Sequence, residues 1–235
     1  MMSHLPFPRG RRLLALISTL VGLSIVGASI SPAAEEKDNE EDISPVEDLM
    51  REHGVLRRVL LVYQEAIKRL EGGQEVPAAV LQRSASIVRT FIEDYHERLE
   101  EEQLFPRFRK AGLDVELVGV LAAQHQAGRR VTERISTLVR DEGALRDPRQ
   151  RATVVALLRD FIRMYEPHAA REDTVLFPAF RKTMAAAEYD KLGDTFEKRE
   201  HELFGEGGFE KFVSQADELE KQLGINALDQ FTPRT

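Results

Sequence analysis

The chain has 235 residues, a formal net charge of −7 and no cysteine. The lack of cysteine excludes disulfides, thiolate catalysis, iron–sulfur clusters and cysteine-ligated zinc. The excess of acidic residues disfavours nucleic-acid binding, which relies on phosphate neutralisation by clustered Lys and Arg.

The first predicted element is a secretory leader. A basic stretch over residues 9–12 precedes an uncharged apolar run over residues 13–31, and small residues follow, as in a signal peptide. The run also reaches the lower length limit of a membrane span. Residues 1–34 are therefore predicted to be a cleaved signal peptide or an N-terminal anchor, and both imply export to the periplasm or the extracellular space. Residues 35–44 are acidic and polar and are predicted to be a solvated linker.

The rest of the chain, about 200 residues, is enough for one domain with a substantial core. Its apolar residues recur with a helical period, and no stretch alternates like a strand. Four long helices are predicted in residues 45–186, starting near Pro45, Pro77, Asp114 and Pro148. Short turns between such helices imply antiparallel neighbours. The predicted fold is all-α, an up-down-up-down four-helix bundle with an additional C-terminal helix, and residues 187–235 are predicted to pack on the bundle.

The two halves of this domain repeat at an offset of 72 residues. Each half contains a His-x-x-x-Glu pair followed by Leu-Phe-Pro, and each has a further histidine upstream in the preceding helix. The repeat pairs His53 with His125, His96 with His168, and Glu100 with Glu172. Two helical hairpins related by a pseudo-twofold axis would bring these side chains to one place.

The repeated residues are predicted to bind metal. Residues four apart on a helix share a face, about 5–6 Å from each other, so each His-x-x-x-Glu pair directs two ligands to one locus. Imidazole and carboxylate together suit iron, manganese or zinc, and di-iron carboxylate bundles place inward Glu and His on facing helices. One such pair is a weak signal, but two in register, each with a further histidine, are a strong one.

Several neighbouring residues have two interpretations. His201 has no counterpart at the 72-residue offset, and it either closes the metal site from the C-terminal segment or is an exposed helix-end histidine. Glu97 either adds an oxygen ligand or belongs to a solvated acidic face. Arg57 and Arg129 either form a salt bridge to a ligand carboxylate or lie in solvent with their stems covering core.

Local irregularities are also predicted near the site. Pro106 and Pro178 lie late in the second and fourth helices and are expected to kink or end them. Pro167, directly before the fourth-helix histidine, suggests a bulge or kink there. Phe91 and Phe161 are offset by 70 rather than 72 residues, which we interpret as two extra residues in the fourth helix before its histidine. Tyr95 and Tyr165 are interpreted as core residues.

These residues resemble the hemerythrin-like family of HHE cation-binding domains. The family order H…HxxxE…H…HxxxE is matched in this chain, and the Leu-Phe-Pro endings are also similar. The resemblance covers about residues 45–186 and implies a four-helix bundle holding two non-haem irons, bridged by the two glutamates and by an oxo or hydroxo group. The metal ligands it implies are His53, His96, Glu100, His125, His168 and Glu172, with His201 as the remaining candidate.

Two departures from the family pattern affect the expected chemistry. Oxygen-carrying hemerythrins have a second histidine one turn further along the third helix, where this chain has Arg129. Their last carboxylate is an aspartate five residues after its histidine, whereas Glu172 follows at four. Outside the leader, His201 is the only histidine left to supply the missing imidazole. Without it one iron keeps an open position, which favours peroxide or nitric oxide chemistry over reversible O2 storage.

The sequence therefore predicts a di-iron protein that binds O2 or a related small ligand, for carriage or sensing. Two alternatives stay open: an oxidoreductase acting on peroxide, O2 or NO, and an iron-binding protein for storage or delivery. No catalytic or electron-transfer segment is recognisable in the sequence, so a binding protein is favoured over an enzyme. Neither a nucleic-acid partner nor membrane contact beyond an anchor at residues 13–31 is expected.

Overall fold

The computed structural model describes residues 43–233. The predicted signal peptide or anchor and nearly all of the predicted linker lie outside these residues. Within the described range the chain is helical and contains no β-strand, so the predicted all-α class is confirmed. None of the helices in this part of the chain combines the length and apolar character needed to cross a bilayer.

The described residues form six helices, two of which contain π-helical segments. Their bounds are α1, Pro45–Glu71; α2, residues 78–111; α3, Val115–Leu138; α4, residues 148–183; α5, Ala186–Phe204; and α6, Gly208–Gln222. The π-helical segments are Val88–His96 and Glu100–Leu104 in α2 and Glu172–Leu176 in α4. The last turn of α4 is a 3-10 turn, and two separate 3-10 turns occur at Ala144–Arg146 and Leu228–Phe231.

Side chains cap the starts of α1 and α4. The Ser44 hydroxyl accepts the backbone N–H of Glu47 at 3.3 Å, and Pro45 occupies the first turn of α1. At the start of α4, the Asp147 carboxylate accepts the backbone N–H of Arg149 at 2.9 Å. These side chains satisfy N–H groups that have no partner within the helix.

Pro106 and Pro178 end neither helix. Each lies in the first turn after a π-helical segment, and α-helix continues beyond both, through Phe105–Ala111 and Phe177–Phe180. Of the two predicted effects, the ending of the helix at these prolines is therefore wrong, and a kink there stays a prediction.

Both α2 and α4 are irregular near the site, but in α4 the irregular segment starts at Glu172, so the bulge predicted at Pro167 itself is wrong. α4 is a regular α-helix through Pro167, and its π-helical segment begins only after Arg171. In α2 the π-helical segment Val88–His96 separates Phe91 from the histidine by five residues. In α4 the corresponding Phe161 lies seven residues before His168, about two turns of regular α-helix. The interpretation of the 70-residue offset as two extra residues in α4 stays a prediction.

Polar contacts give the directions of the packed helices. Between α1 and α4, Gln64 donates to Glu166 at 3.0 Å and Arg159 donates to Glu71 at 2.6 Å. Residue numbers rise along one helix as they fall along the other, so the two helices are antiparallel. The same opposite order relates α2 to α3 and α3 to α4, through the pairs Gln82–Val139, Glu101–His125, Gln150–Leu138 and Gln124–His168.

The two C-terminal helices lie against the first two. α6 contacts α1 and α2, and α5 contacts α1. Phe212 of α6 stacks on Phe91 of α2, with ring centroids 4.3 Å apart. Arg58 of α1 makes a two-pronged ion pair with Glu220 of α6, at 2.8 and 2.5 Å. α6 is thus held by both apolar and charged contacts.

Candidate metal centre

A group of six polar side chains is buried among the apolar residues that fill the space between the helices. α1, α2, α3 and α4 all contribute, and none of the six is more than 3% exposed. They are the six repeated residues that the sequence predicts as ligands: His53, His96, Glu100, His125, His168 and Glu172.

Glu172 lies at the middle of this group. Its Oε2 is 3.4 Å from Nε2 of His53 and 3.1 Å from Nε2 of His168, and its Oε1 is 4.0 Å from Nε2 of His125. Donor atoms within 4.8 Å of one another form two groups: Glu100, His125, His168 and Glu172; and His53, His96 and Glu172. Glu172 is common to both groups.

Glu100 lies near the imidazoles of His125 and His96, and several polar atoms in this part of the site have no hydrogen-bond partner. Its Oε2 is 3.3 Å from Nε2 of His125 and 3.7 Å from Nε2 of His96. Within residues 43–233, neither oxygen of Glu100 or Glu172 has a hydrogen-bond partner, and neither does Nε2 of His96 or His125. Buried polar atoms are nearly always paired. A cluster of unpaired oxygen and nitrogen donors fits bound cations, which would satisfy all of them.

An outer ring of side chains orients the four imidazoles. Every Nδ1 faces an oxygen acceptor: His53 with Asp173 at 2.7 Å, His96 with Glu52 at 2.5 Å, His125 with Glu101 at 3.1 Å, and His168 with Gln124 at 2.9 Å. Carboxylate and amide oxygens accept, so each Nδ1 carries the proton and each Nε2 keeps its lone pair for the centre. Metal-ligating histidines are held in this way.

The outer ring follows the same 72-residue repeat, but none of its four residues was predicted to belong to the site. Glu52 corresponds to Gln124, and Glu101 corresponds to Asp173. The repeat was the signal that would have identified them, but Glu101 lies in an acidic run that resembles a solvated face. The phenylalanines of the two Leu-Phe-Pro segments pack against the site, since Phe177 stacks on His53 and Phe105 on His125, both at 5.4 Å.

Comparison with known proteins agrees with this geometry. The family model for the hemerythrin HHE cation binding domain matches residues 44–180. The chain belongs to this family. Among curated proteins, the uncharacterized proteins Mb2018 of Mycobacterium bovis and Rv1995 of Mycobacterium tuberculosis are each 43% identical over 237 residues, which covers 97% of this chain and 92% of each relative. No solved structure gives a significant match.

Arg129, which stands where oxygen-carrying hemerythrins place a further histidine, supports the outer ring. Its guanidinium pairs with Glu101 at 2.9 Å and with Glu97 at 2.8 Å. Arg57, its counterpart in the repeat, pairs with Asp173. Neither arginine binds a ligand carboxylate directly, and each holds a carboxylate that in turn orients a histidine.

Glu97 contacts Tyr165 and Arg129 and is not one of the six central side chains. Its Oε1 accepts the hydroxyl of Tyr165 at 2.7 Å, and its Oε2 pairs with Arg129. Tyr165, interpreted from the sequence as core, is buried and also forms this hydrogen bond. Its hydroxyl lies against Gly128, where an added Cβ would be only 2.1 Å from the oxygen. The Tyr165 hydroxyl therefore requires glycine at this position in α3.

The pKa values of the two carboxylates in this hemerythrin-like centre are shifted in opposite directions. Burial and the neighbouring Glu172 charge raise the pKa of Glu100. Burial also acts to raise the pKa of Glu172, but the adjacent His168 and His53 hold that pKa well below its usual range. Two ionised carboxylates side by side in a buried place need positive charge.

In the metal-free protein, imidazoles supply that charge. Burial acts against the protonated form of His53, but its hydrogen bond to Asp173 and the nearby Glu172 carboxylate raise its pKa to about 9. Burial also acts to lower the pKa of His125, but the contacts of His125 with Glu100 and Glu101 outweigh burial and raise this pKa to about 11. Burial lowers the pKa of His96 to about 4. Ligand imidazoles must be neutral, so metal binding would displace these protons.

His201 is not brought to the centre. It is exposed in the last turn of α5, beside a surface depression of about 410 Å³ that also includes Asp194 and Lys198. α5 buries the face that contains Phe196, and five residues further along the helix turns by roughly 140° relative to that face. The interpretation of His201 as a closing ligand is therefore wrong, and the exposed alternative describes it.

Proposed function

We propose that the protein is a non-haem di-iron hemerythrin-like protein that binds O2 or a related small ligand, for carriage or sensing. The observation that carries the proposal is the pair of donor groups sharing Glu172. Within residues 43–233, both oxygens of Glu100 and of Glu172 and the Nε2 atoms of His96 and His125 have no hydrogen-bond partner. A hydrogen-bonded polar core would have satisfied these atoms, whereas a resident metal pair needs them free.

The same proposal includes the arrangement of the helices. The antiparallel order of α1 with α4, α2 with α3 and α3 with α4 supports an up-down-up-down four-helix bundle, with α5 and α6 as additional C-terminal helices. Such bundles build metal sites from side chains on facing helices.

We assign two imidazoles to each metal position. His53 and His96 would hold one ion, His125 and His168 the other, and Glu172 and Glu100 would bridge them. Iron in such a site supplies the redox-active position at which O2 or a related molecule binds. The chain contributes the rest: the outer ring keeps each Nε2 aimed inward, and the stacked Phe177 and Phe105 exclude water.

One observation favours a second candidate, an oxidoreductase acting on peroxide, O2 or NO. His201 is exposed and remote from the six donors, so the protein supplies four imidazoles and two carboxylates. That set leaves open coordination positions, which suit reaction at the metal as well as reversible binding. Iron delivery has no comparable support, because the donors are buried and each imidazole is held in place, which favours a resident metal.

Anaerobic iron loading followed by exposure to O2 tests these alternatives. We expect two irons per chain by metal analysis, and an optical band that appears with O2 and disappears when O2 is removed. Irreversible decay of the band, with consumption of added peroxide, would support the oxidoreductase instead. Retention of less than one metal per chain would overturn both.

Variants of the glutamates test the bridging assignment. Glu172→Ala and Glu100→Ala should lose iron and lower the free energy of unfolding of the loaded protein, because metal-binding energy is also folding energy. Glu166→Ala is the matched control, since Glu166 is an exposed glutamate on the same helix as Glu172. Unchanged iron content in both ligand variants would refute the assignment.

A further inference from the structure

A second group of carboxylates lies outside the metal centre, where α5 packs on α1. One oxygen each from Asp48 and Glu52 of α1 and from Glu200 of α5 lie within 4.8 Å of one another. Glu52 is fully buried and the other two are partly buried. The donors are all oxygens, unlike the mixed nitrogen and oxygen donors of the di-metal centre.

Glu52 connects this carboxylate group to the metal centre, and one of its oxygens has no hydrogen-bond partner among the described residues. Its Oε2 accepts Nδ1–H of His96 at 2.5 Å. Its Oε1 is buried and has no hydrogen-bond partner among the residues that the structure describes. A buried carboxylate oxygen without a partner is costly unless a cation or donor satisfies it.

These three carboxylates have too little positive charge nearby to balance their negative charges. Arg51 reaches Asp48 only at 3.8 Å, and its guanidinium lies over the ring of Phe209, 4.3 Å from the centroid. One oxygen of Glu200 accepts the backbone N–H of Phe209 at 3.0 Å, which leaves its net charge in place. Burial and the charges of Glu52 and Glu200 raise the pKa of Asp48 to about 7, as expected for carboxylates that lack a counter-ion.

We propose that Asp48, Glu52 and Glu200 bind a hard divalent cation of the calcium class. Hard cations prefer carboxylate oxygens, and Ca²⁺ takes them at about 2.3–2.6 Å, so two oxygens on opposite sides of the ion are roughly 4.6–5.2 Å apart. The three oxygens lie within 4.8 Å of one another, which is close enough for one such ion to contact all of them. Such an ion satisfies the unused oxygen of Glu52, neutralises the cluster and fastens α5 to α1.

The cation would also act on the neighbouring centre through Glu52. A positive ion bound to Oε1 of Glu52 withdraws negative charge from Oε2, the oxygen that accepts the hydrogen bond from Nδ1–H of His96. That weakens the donor character of His96. This consequence rests on the proposed iron site, but cation binding itself does not.

Calorimetric titration of CaCl2 into the full chain tests the proposal. The titration is run on both the iron-loaded and the metal-free protein, because Ca²⁺ avoids imidazole donors. We expect one Ca²⁺ per chain in both preparations, with affinity falling at least tenfold in Glu200→Gln and in Asp48→Asn. Glu202→Gln is the matched control, since Glu202 is an exposed glutamate on the same helix, and it should bind Ca²⁺ like the parent chain.

Thermal unfolding with and without Ca²⁺ gives a second readout. Ca²⁺ should raise the Tm of the parent chain and of Glu202→Gln, and leave Glu200→Gln unchanged. Absence of saturable Ca²⁺ uptake at millimolar concentration, or equal binding by Glu200→Gln and Glu202→Gln, overturns the proposal. Loss of iron from the parent chain with intact Ca²⁺ binding would contradict the di-iron function alone, so the two failures are distinguishable.

Discussion

Replacing Gly128 by alanine tests whether α3 is shaped around the Tyr165 hydroxyl. A Cβ at this position would be 2.1 Å from the hydroxyl oxygen and 2.8 Å from the ring carbon that bears it. The ring has little room to move. It packs against Phe161 at 4.4 Å and against His168 at 5.4 Å, and its hydroxyl donates to Glu97.

Two opposing effects set the magnitude. Alanine in place of glycine stabilises a helix interior by roughly 0.5–1 kcal/mol, whereas overpacking a filled core costs roughly 1–3 kcal/mol. Displacing Tyr165 would also break its hydrogen bond to the buried Glu97, which adds to the cost. We expect Gly128→Ala to lower the free energy of unfolding of the metal-free protein by about 1–2 kcal/mol, measured by urea denaturation.

Gly119→Ala is the control, because Gly119 is in the same helix and an added Cβ there meets nothing within 4 Å. It should be neutral or stabilising. Adding Tyr165→Phe to Gly128→Ala removes the oxygen that clashes, and it should restore part of the lost stability although the ring carbon stays close. Equal stability of the two alanine variants would refute the reasoning.

Three further predictions concern side chains around the centre. Arg129→Gln should destabilise the protein by about 3–5 kcal/mol in thermal or urea unfolding, because it leaves the buried Glu97 without its counter-ion. The more exposed Arg57→Gln should cost about 1 kcal/mol or less, and similar losses in the two variants would contradict this. The folded-state pKa of Asp48 is raised from 3.8 to about 7, so its ionisation opposes folding as pH rises between these values. Asp48→Asn should therefore gain stability over the parent chain between pH 5 and pH 8 without Ca²⁺, by at most roughly 4 kcal/mol, and a pH-independent difference in urea midpoints would disprove it. Glu52→Gln should weaken metal affinity by about 10–100-fold in chelator competition, whereas Gln124→Glu should not weaken it; equal losses in both would remove the assigned role of Glu52.

The helical period and the repeat were enough to predict which side chains meet. Apolar residues at helical spacing specify which face of each helix is buried, and the 72-residue offset indicates that two hairpins contribute equivalent residues. The two His-x-x-x-Glu pairs therefore identified His96, Glu100, His168 and Glu172 without knowledge of the fold. The all-helical class follows from the same pattern.

The features that were missed depend on contacts between helices. The π-helical segment Val88–His96 is a register change that tertiary packing stabilises, and its sequence also fits an ordinary α-helix. Glu101 looked like part of a solvated acidic face, because the Nδ1 atom of His125 that it contacts belongs to another helix. His201 was a candidate only by residue type, and the buried face of α5 directs it to solvent.

The repeat is nearly symmetric in geometry but not in charge. Asp173 and Glu52 place carboxylates behind both His53 and His96. Behind His125 and His168 the partners are one carboxylate and the neutral amide of Gln124. A carboxylate on Nδ1 makes the imidazole a stronger donor than an amide does, so the two proposed metal positions differ in donor strength. Two irons with unequal donors would have unequal potentials, and the single difference between Glu52 and Gln124 would then decide which iron reacts first with a small ligand.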